Sequence, residues 1–81
     1  MADLEPLRNF ILKEFLFGRD VELGDRDPLF PDVIDSLGVM TVVDFVEENY
    51  SITLGEDELL ADNFRSLEAI GALIDRKRDG A

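Results

Sequence analysis

Neither a cysteine nor a histidine occurs among the 81 residues of this chain. No disulfide and no Cys/His zinc site can staple it, so apolar packing alone must hold it together. At this length only one small core fits, and a single domain spanning residues 1–81 is expected. Hydrophobic residues make up 46% of the chain, enough for a globular core. The same absence removes thiolate nucleophiles and histidine acid–base chemistry.

The charge is as one-sided as the composition. Nineteen acidic residues face eight basic ones, a net charge of −11. Such a surface repels phosphate backbones and anionic lipid, so nucleic acid and membranes are not the expected partners. A basic protein surface is, because opposite potentials steer encounter. The first residues, Met1-Ala2-Asp3-Leu4-Glu5, lack the basic run and apolar stretch of a secretion signal, and no stretch is apolar enough to span a bilayer. The expectation is a cytoplasmic monomer.

Apolar spacing predicts an all-α fold of three main helices and a short one, a small four-helix bundle. The first helix covers residues 4–17, with Leu4, Leu7, Phe10, Ile11 and Phe15 on one face, Asp3 as N-cap and Gly18 just past the end. Residues 18–35 form a long irregular segment, its second half pinned by Leu29, Phe30, Val33 and Ile34. The central helix covers residues 36–50, with a strand over 39–46 as the competing reading of its β-branched valines. On a wheel, Val39, Val42, Val43, Val46 and Tyr50 face inward. Thr41, Asp44 and Glu48 lie opposite, Glu47 to one side, Phe45 on the boundary. Glu56 to Leu60 read as one short helical turn or two, with Leu59 and Leu60 inward. The last helix covers 66–78, capped by Ser66, with Leu67, Ile70, Leu73 and Ile74 as its stripe and Gly71 at a close packing contact.

The acidic loop does not encode a calcium hand. Counting from Asp20, the glycine position holds Asp25 and the twelfth position holds Pro31; counting from Asp25, Phe30 takes the glycine position. No specific metal site is expected. Asp35-Ser36 is no catalytic dyad either, since an ionised aspartate beside a serine activates nothing without a further base. Read locally, Ser36 is a helix N-cap. Its surroundings add to that reading. Leu37 and Met40 are apolar where the wheel predicts exposure, and Asp35, Asp44, Glu47 and Glu48 surround them, as at an interaction site.

The run Asp35-Ser36-Leu37, followed by Val39-Met40-Thr41-Val42-Val43 and Glu47-Glu48-Asn49-Tyr50, resembles the acyl carrier protein family. The likeness in helix order, acidity and size extends over nearly the whole chain. The resemblance implies that Ser36, beside Asp35, receives 4′-phosphopantetheine from coenzyme A through a separate Mg²⁺-dependent phosphopantetheinyl transferase. The arm would carry acyl groups as thioesters between enzymes of fatty-acid, polyketide or related biosynthesis. It also implies a carrier with no catalysis of its own. Leu37, Met40, Thr41, Asp44, Glu47 and Glu48 would meet basic patches on loading ligases or transferases and on condensing synthases. Phe30, Val43, Val46, Ile52 and Ile70 would line a cargo cavity, or simply form core. Gly38, Thr41 and Asp44 depart from the charge pattern of fatty-acid carriers. A stand-alone aminoacyl carrier of D-alanyl or peptidyl type is the alternative, although Val33-Ile34-Asp35 replaces the L-G-G-x motif of modular peptidyl carriers before Ser36. An acidic helical interaction module without a prosthetic group is a third reading.

Overall fold

The computed structural model of the chain describes residues 2–18 and 22–79. It contains three α-helices, α1 (Glu5–Phe15), α2 (Ser36–Tyr50) and α3 (Leu67–Asp79), and no strand among the described residues. The expected short fourth helix is instead two 3-10 turns, Glu56–Glu58 and Ala61–Phe64. Leu7, Ile11, Val42, Val46, Leu67, Ile70 and Ile74 come together in one core from all three helices.

The helix α1 stops two residues short of its expected end. Phe17 and Gly18 both take left-handed backbone, with φ of 56° and 71°, and the Gly18 N–H donates to the Leu12 carbonyl at 2.9 Å. The left-handed position expected of Gly18 therefore begins one residue earlier, on an exposed phenylalanine. Asp3 still serves the helix start, accepting the Glu5 N–H at 3.1 Å, although Leu4 is the capping position.

The irregular segment is stitched to the helices. Leu29 and Ile34 are fully buried, while Phe30 and Val33 are half-buried. The Leu29 N–H donates to the Arg65 carbonyl at 2.7 Å, and the Glu68 N–H donates to the Asp25 carbonyl at 2.8 Å. Arg8 joins this segment to α1, pairing with Glu5 and Asp25 and donating to the Leu23 carbonyl. Asp20, where the first calcium frame begins, lies outside the described residues.

The central helix has its expected bounds, and Val42, Val43 and Val46 are buried. Val39 and Tyr50 are only half-buried. In α3 the cap is also as expected, the Ser66 hydroxyl accepting the Ala69 N–H at 3.1 Å. Leu60 is the clear exception to the sequence reading. It is 57% exposed, its extended backbone turning the side chain outward, and Phe64, 1% exposed, fills the core from this segment.

Aromatic packing locks α1 to α2. The Phe10 and Phe45 rings stack with centroids 4.2 Å apart, and Phe15 meets Phe10 edge-on at 6.5 Å. Gly38 lets this happen. A Cβ there would lie 2.7 Å from Phe15 Cε1 and 3.0 Å from Ile34 Cγ2. Alanine gains about 1 kcal/mol of helix propensity, but overpacking costs about 1–3 kcal/mol. Gly38→Ala is therefore expected to lower the melting temperature. Gly71→Ala, whose new methyl has the flexible Leu4 side chain as its nearest neighbour, should be near neutral. A Gly38→Ala protein that melts higher than the parent would disprove the close contact.

Candidate functional site

Ser36 begins α2, but it does not cap it. Asp35 does: its backbone is extended (φ −88°, ψ −175°) and its Oδ1 accepts the Gly38 N–H at 2.7 Å. Buried Ile34 holds the chain in this register, one residue earlier than the local reading of Ser36 as cap. The serine hydroxyl is exposed and has no hydrogen-bond partner among the described residues. The Ser36 and Leu37 N–H groups precede any intrahelical acceptor. They leave partial positive charge at the helix start, an environment that suits a phosphate ester.

Beside the serine lies a cleft of about 180 Å³. Phe30, Val39 and Met40 line it together with Leu59, Leu60 and Phe64. With Ala61, four residues from the 56–64 segment line it, and none of them was foreseen as a site residue. The Leu59-Leu60 pair and Phe64 stand among acidic neighbours, which is the only sequence signal they give. Of the five residues named for a cargo cavity, Phe30 alone lines this cleft. Val43, Val46 and Ile70 are packed into the core, and Ile52 borders a different cleft, near Lys77 and Arg78.

The outward face of α2 presents Leu37, 82% exposed, and Met40, 50% exposed. Leu60 extends this apolar surface from the neighbouring turn, since it shares the cleft with Met40. Thr41, Asp44 and Glu48 are exposed further along the helix. Glu47 is turned to internal use: it is half-buried and its Oε2 accepts the Leu54 N–H at 2.8 Å. No lysine or arginine interrupts α2. No group of three or more metal-ligating side chains occurs among the described residues.

The 56–64 segment that walls the cleft is tied to α3. Glu58 Oε1 accepts the Gly55 N–H at 2.8 Å and lies 3.0 Å from Lys77 Nζ. The Gly55 N–H, then Lys77, hold the Glu58 carboxyl below its ordinary value of 4.5. Asn63 reinforces the tie, donating to the Glu58 carbonyl and accepting from Arg76. On α2, burial raises the Tyr50 hydroxyl above its ordinary value. Its proton is donated to the Asp3 carbonyl.

A lowered carboxyl fixes the sign of a pH effect. The unfolded chain takes up the proton first as pH falls, so Glu58 stabilises the fold fully above about pH 4.5. That contribution is lost as pH drops through the lowered value. The stability gap between the parent and Glu58→Gln should therefore be widest near neutrality and narrow in acid, as read by denaturant titration at several pH values. A gap that widens in acid would refute this assignment.

No protein-family model matches the chain. A curated relative described as "Probable acyl carrier protein PigG", from Serratia sp. (strain ATCC 39006), is 31% identical over 71 residues. The alignment covers 86% of this chain and 82% of the relative. The chain belongs to the acyl carrier protein family. A carrier role accounts for a helical molecule that presents an exposed serine at a helix start. Acyl carrier proteins in general use a phosphopantetheine group and partner with synthases and transferases. Among the described residues of this carrier, no helix is long and apolar enough to cross a membrane.

Proposed function

We propose that the chain is a free-standing, monomeric cytoplasmic carrier domain in which Ser36 bears 4′-phosphopantetheine. The observation that carries this reading is the division of roles at the start of α2. Asp35 takes the cap, so the neighbouring hydroxyl is exposed and uncommitted. The residues suit the group. The helix start favours its phosphate, and the apolar cleft beside Ser36 offers its chain a wall. When attached, the group supplies the thiol that this cysteine-free chain lacks, for holding acyl intermediates as thioesters.

The protein's own part is to hold and present. Ser36 fixes the anchor at a helix start, and Asp35 keeps that start folded. Tethering raises the effective concentration of cargo near each docked enzyme. Leu37 and Met40 supply apolar contacts to those enzymes, while Asp44 and Glu48 meet their Arg and Lys side chains. The partners are a phosphopantetheinyl transferase, a loading ligase or transferase, and a condensing synthase. Gly38, buried against Phe15, and Thr41 leave the first turns of α2 without the acids typical of fatty-acid carriers. This favours a polyketide or related specialised pathway.

The test is intact mass after incubation with coenzyme A, Mg²⁺ and a broad-specificity phosphopantetheinyl transferase. One added phosphopantetheinyl group supports the reading. No gain on folded protein, with a control carrier modified in the same tube, rejects it. Docking through an acidic face should also weaken steadily with ionic strength. Affinity for the transferase that does not change from low to moderate salt would argue against the acidic face.

A further inference from the structure

We propose that an arginine-lined groove next to the Ser36 cleft receives the free carboxylate of a dicarboxylic acyl group carried on this protein. The inference rests on Ser36 as the attachment point. The groove, of about 680 Å³, shares Phe30 with the Ser36 cleft. The Ala61–Phe64 turn separates the two: Ala61 and Phe64 line the cleft, Asp62 and Asn63 the groove. Phe30 is the side chain common to both, so a chain tethered at Ser36 that follows the cleft past Phe30 would reach the groove.

The charge there opposes that of the molecule. Arg26, Arg65 and Arg76 line the groove, three of only eight basic residues in a chain of net charge −11. Arg26 is engaged by Glu68, Nε to Oε2 at 3.0 Å. Arg76 hydrogen-bonds only the neutral Asn63 amide oxygen, at 3.3 Å, and acts on the Glu58 carboxylate without an ion pair, while the Arg65 side chain has no hydrogen bond or ion pair among the described residues. Two guanidinium groups thus face one remaining carboxylate, Asp62. Guanidinium groups bind carboxylates through paired, charge-assisted hydrogen bonds. Pro28, Ala69 and Ala72 give the groove apolar surface for methylenes.

Size points the same way. The Ser36 cleft holds about 180 Å³, below the range of about 300–1,000 Å³ for a pocket enclosing a whole ligand. Val43, Val46 and Ile70 are buried in the core and do not line it. The cleft is too small to enclose a long alkyl chain, whereas a short chain with an anionic end has a counter-charge in the adjoining groove. Exposed ion pairs are individually weak. Tethering compensates, because the carboxylate is held at high local concentration.

With Mg²⁺ and the same broad-specificity phosphopantetheinyl transferase, which moves acyl-phosphopantetheine to the serine and releases 3′,5′-ADP, the experiment loads the protein from glutaryl-coenzyme A and, separately, from pentanoyl-coenzyme A, which differ at the chain end in carboxylate against methyl. Intact mass confirms loading, and ¹H–¹⁵N NMR reads the result. The glutaryl form should shift the side-chain Nε–H signals of Arg65 and Arg76 and the Ala72 amide relative to the pentanoyl form. An R65Q/R76Q double variant, loaded equally, should lose those differences. Identical spectra in this groove for the two loaded forms would overturn the proposal and leave the carrier reading intact. Differences that persist in the double variant would also overturn it. No mass gain from either donor would remove the carrier reading and this inference with it.

Discussion

Ser36→Ala is expected to abolish transferase-dependent mass gain completely while leaving thermal stability unchanged or slightly raised. The two halves have separate causes. Loading needs a hydroxyl, and the other two serines are poor substitutes. Ser66 is buried and occupied in capping α3, and Ser51 sits at the far end of α2 in left-handed backbone. Stability is spared because Asp35 satisfies the Gly38 N–H, and alanine is a better helix former than serine at the first position. Asp35→Ala should show the converse: a loss of about 0.5–2 kcal/mol, the usual cost of a missing cap, with the acceptor hydroxyl still present. Intact mass and thermal melts on the two variants read both effects. A Ser36→Ala protein destabilised to the level of Asp35→Ala would put the cap back on the serine. Continued mass gain would move the attachment point elsewhere.

Phe64→Ala should be the most damaging single truncation in the 56–64 segment, costing about 3–5 kcal/mol. That is a large share of the roughly 5–15 kcal/mol that holds a typical domain together. Phe64 is 1% exposed and serves twice, filling the core and closing the floor of the Ser36 cleft. The segment has little else to anchor it. Its 3-10 turns carry no other buried side chain, and its polar ties to α3 involve partly exposed groups. Phe64→Leu, which keeps most of the volume, should cost less than about 1.5 kcal/mol. Urea titration of both variants decides the matter. A loss below about 1.5 kcal/mol for Phe64→Ala would mean that the segment is held by something other than this ring.

The long, strongly periodic elements were legible in the residues alone. The four valines and flanking charges of α2 define one buried and one wet face, and α3 announces itself through Ser66 and its leucine–isoleucine stripe. Legibility failed where periodicity is short. Phe64 is a single apolar residue amid Ala61, Asp62, Asn63 and Arg65, and no repeat marks it as core. Leu59 and Leu60 look equivalent in sequence, but the backbone between the two 3-10 turns is extended and sends them different ways. The identity of the α2 cap was ambiguous for another reason. Aspartate and serine are both good caps, and the choice between adjacent residues depends on how Ile34 is seated in the core, a tertiary fact. At the site, exposure of Leu37 and Met40 followed from the helical wheel. The neighbouring cleft did not, because half its wall comes from the segment whose form was misread.

The contact that Gly38 permits has a mechanical consequence. With Phe15 and Ile34 pressed against the back of the first turn of α2, that turn has no room to rock toward the core. Any group esterified to Ser36 then pivots on the serine's own side-chain torsions, from a footing braced by a neighbouring helix. If Ser36 carries the proposed arm, the sweep of that arm would be centred on a fixed point on the surface, and an enzyme docked on α2 would meet it at a set origin.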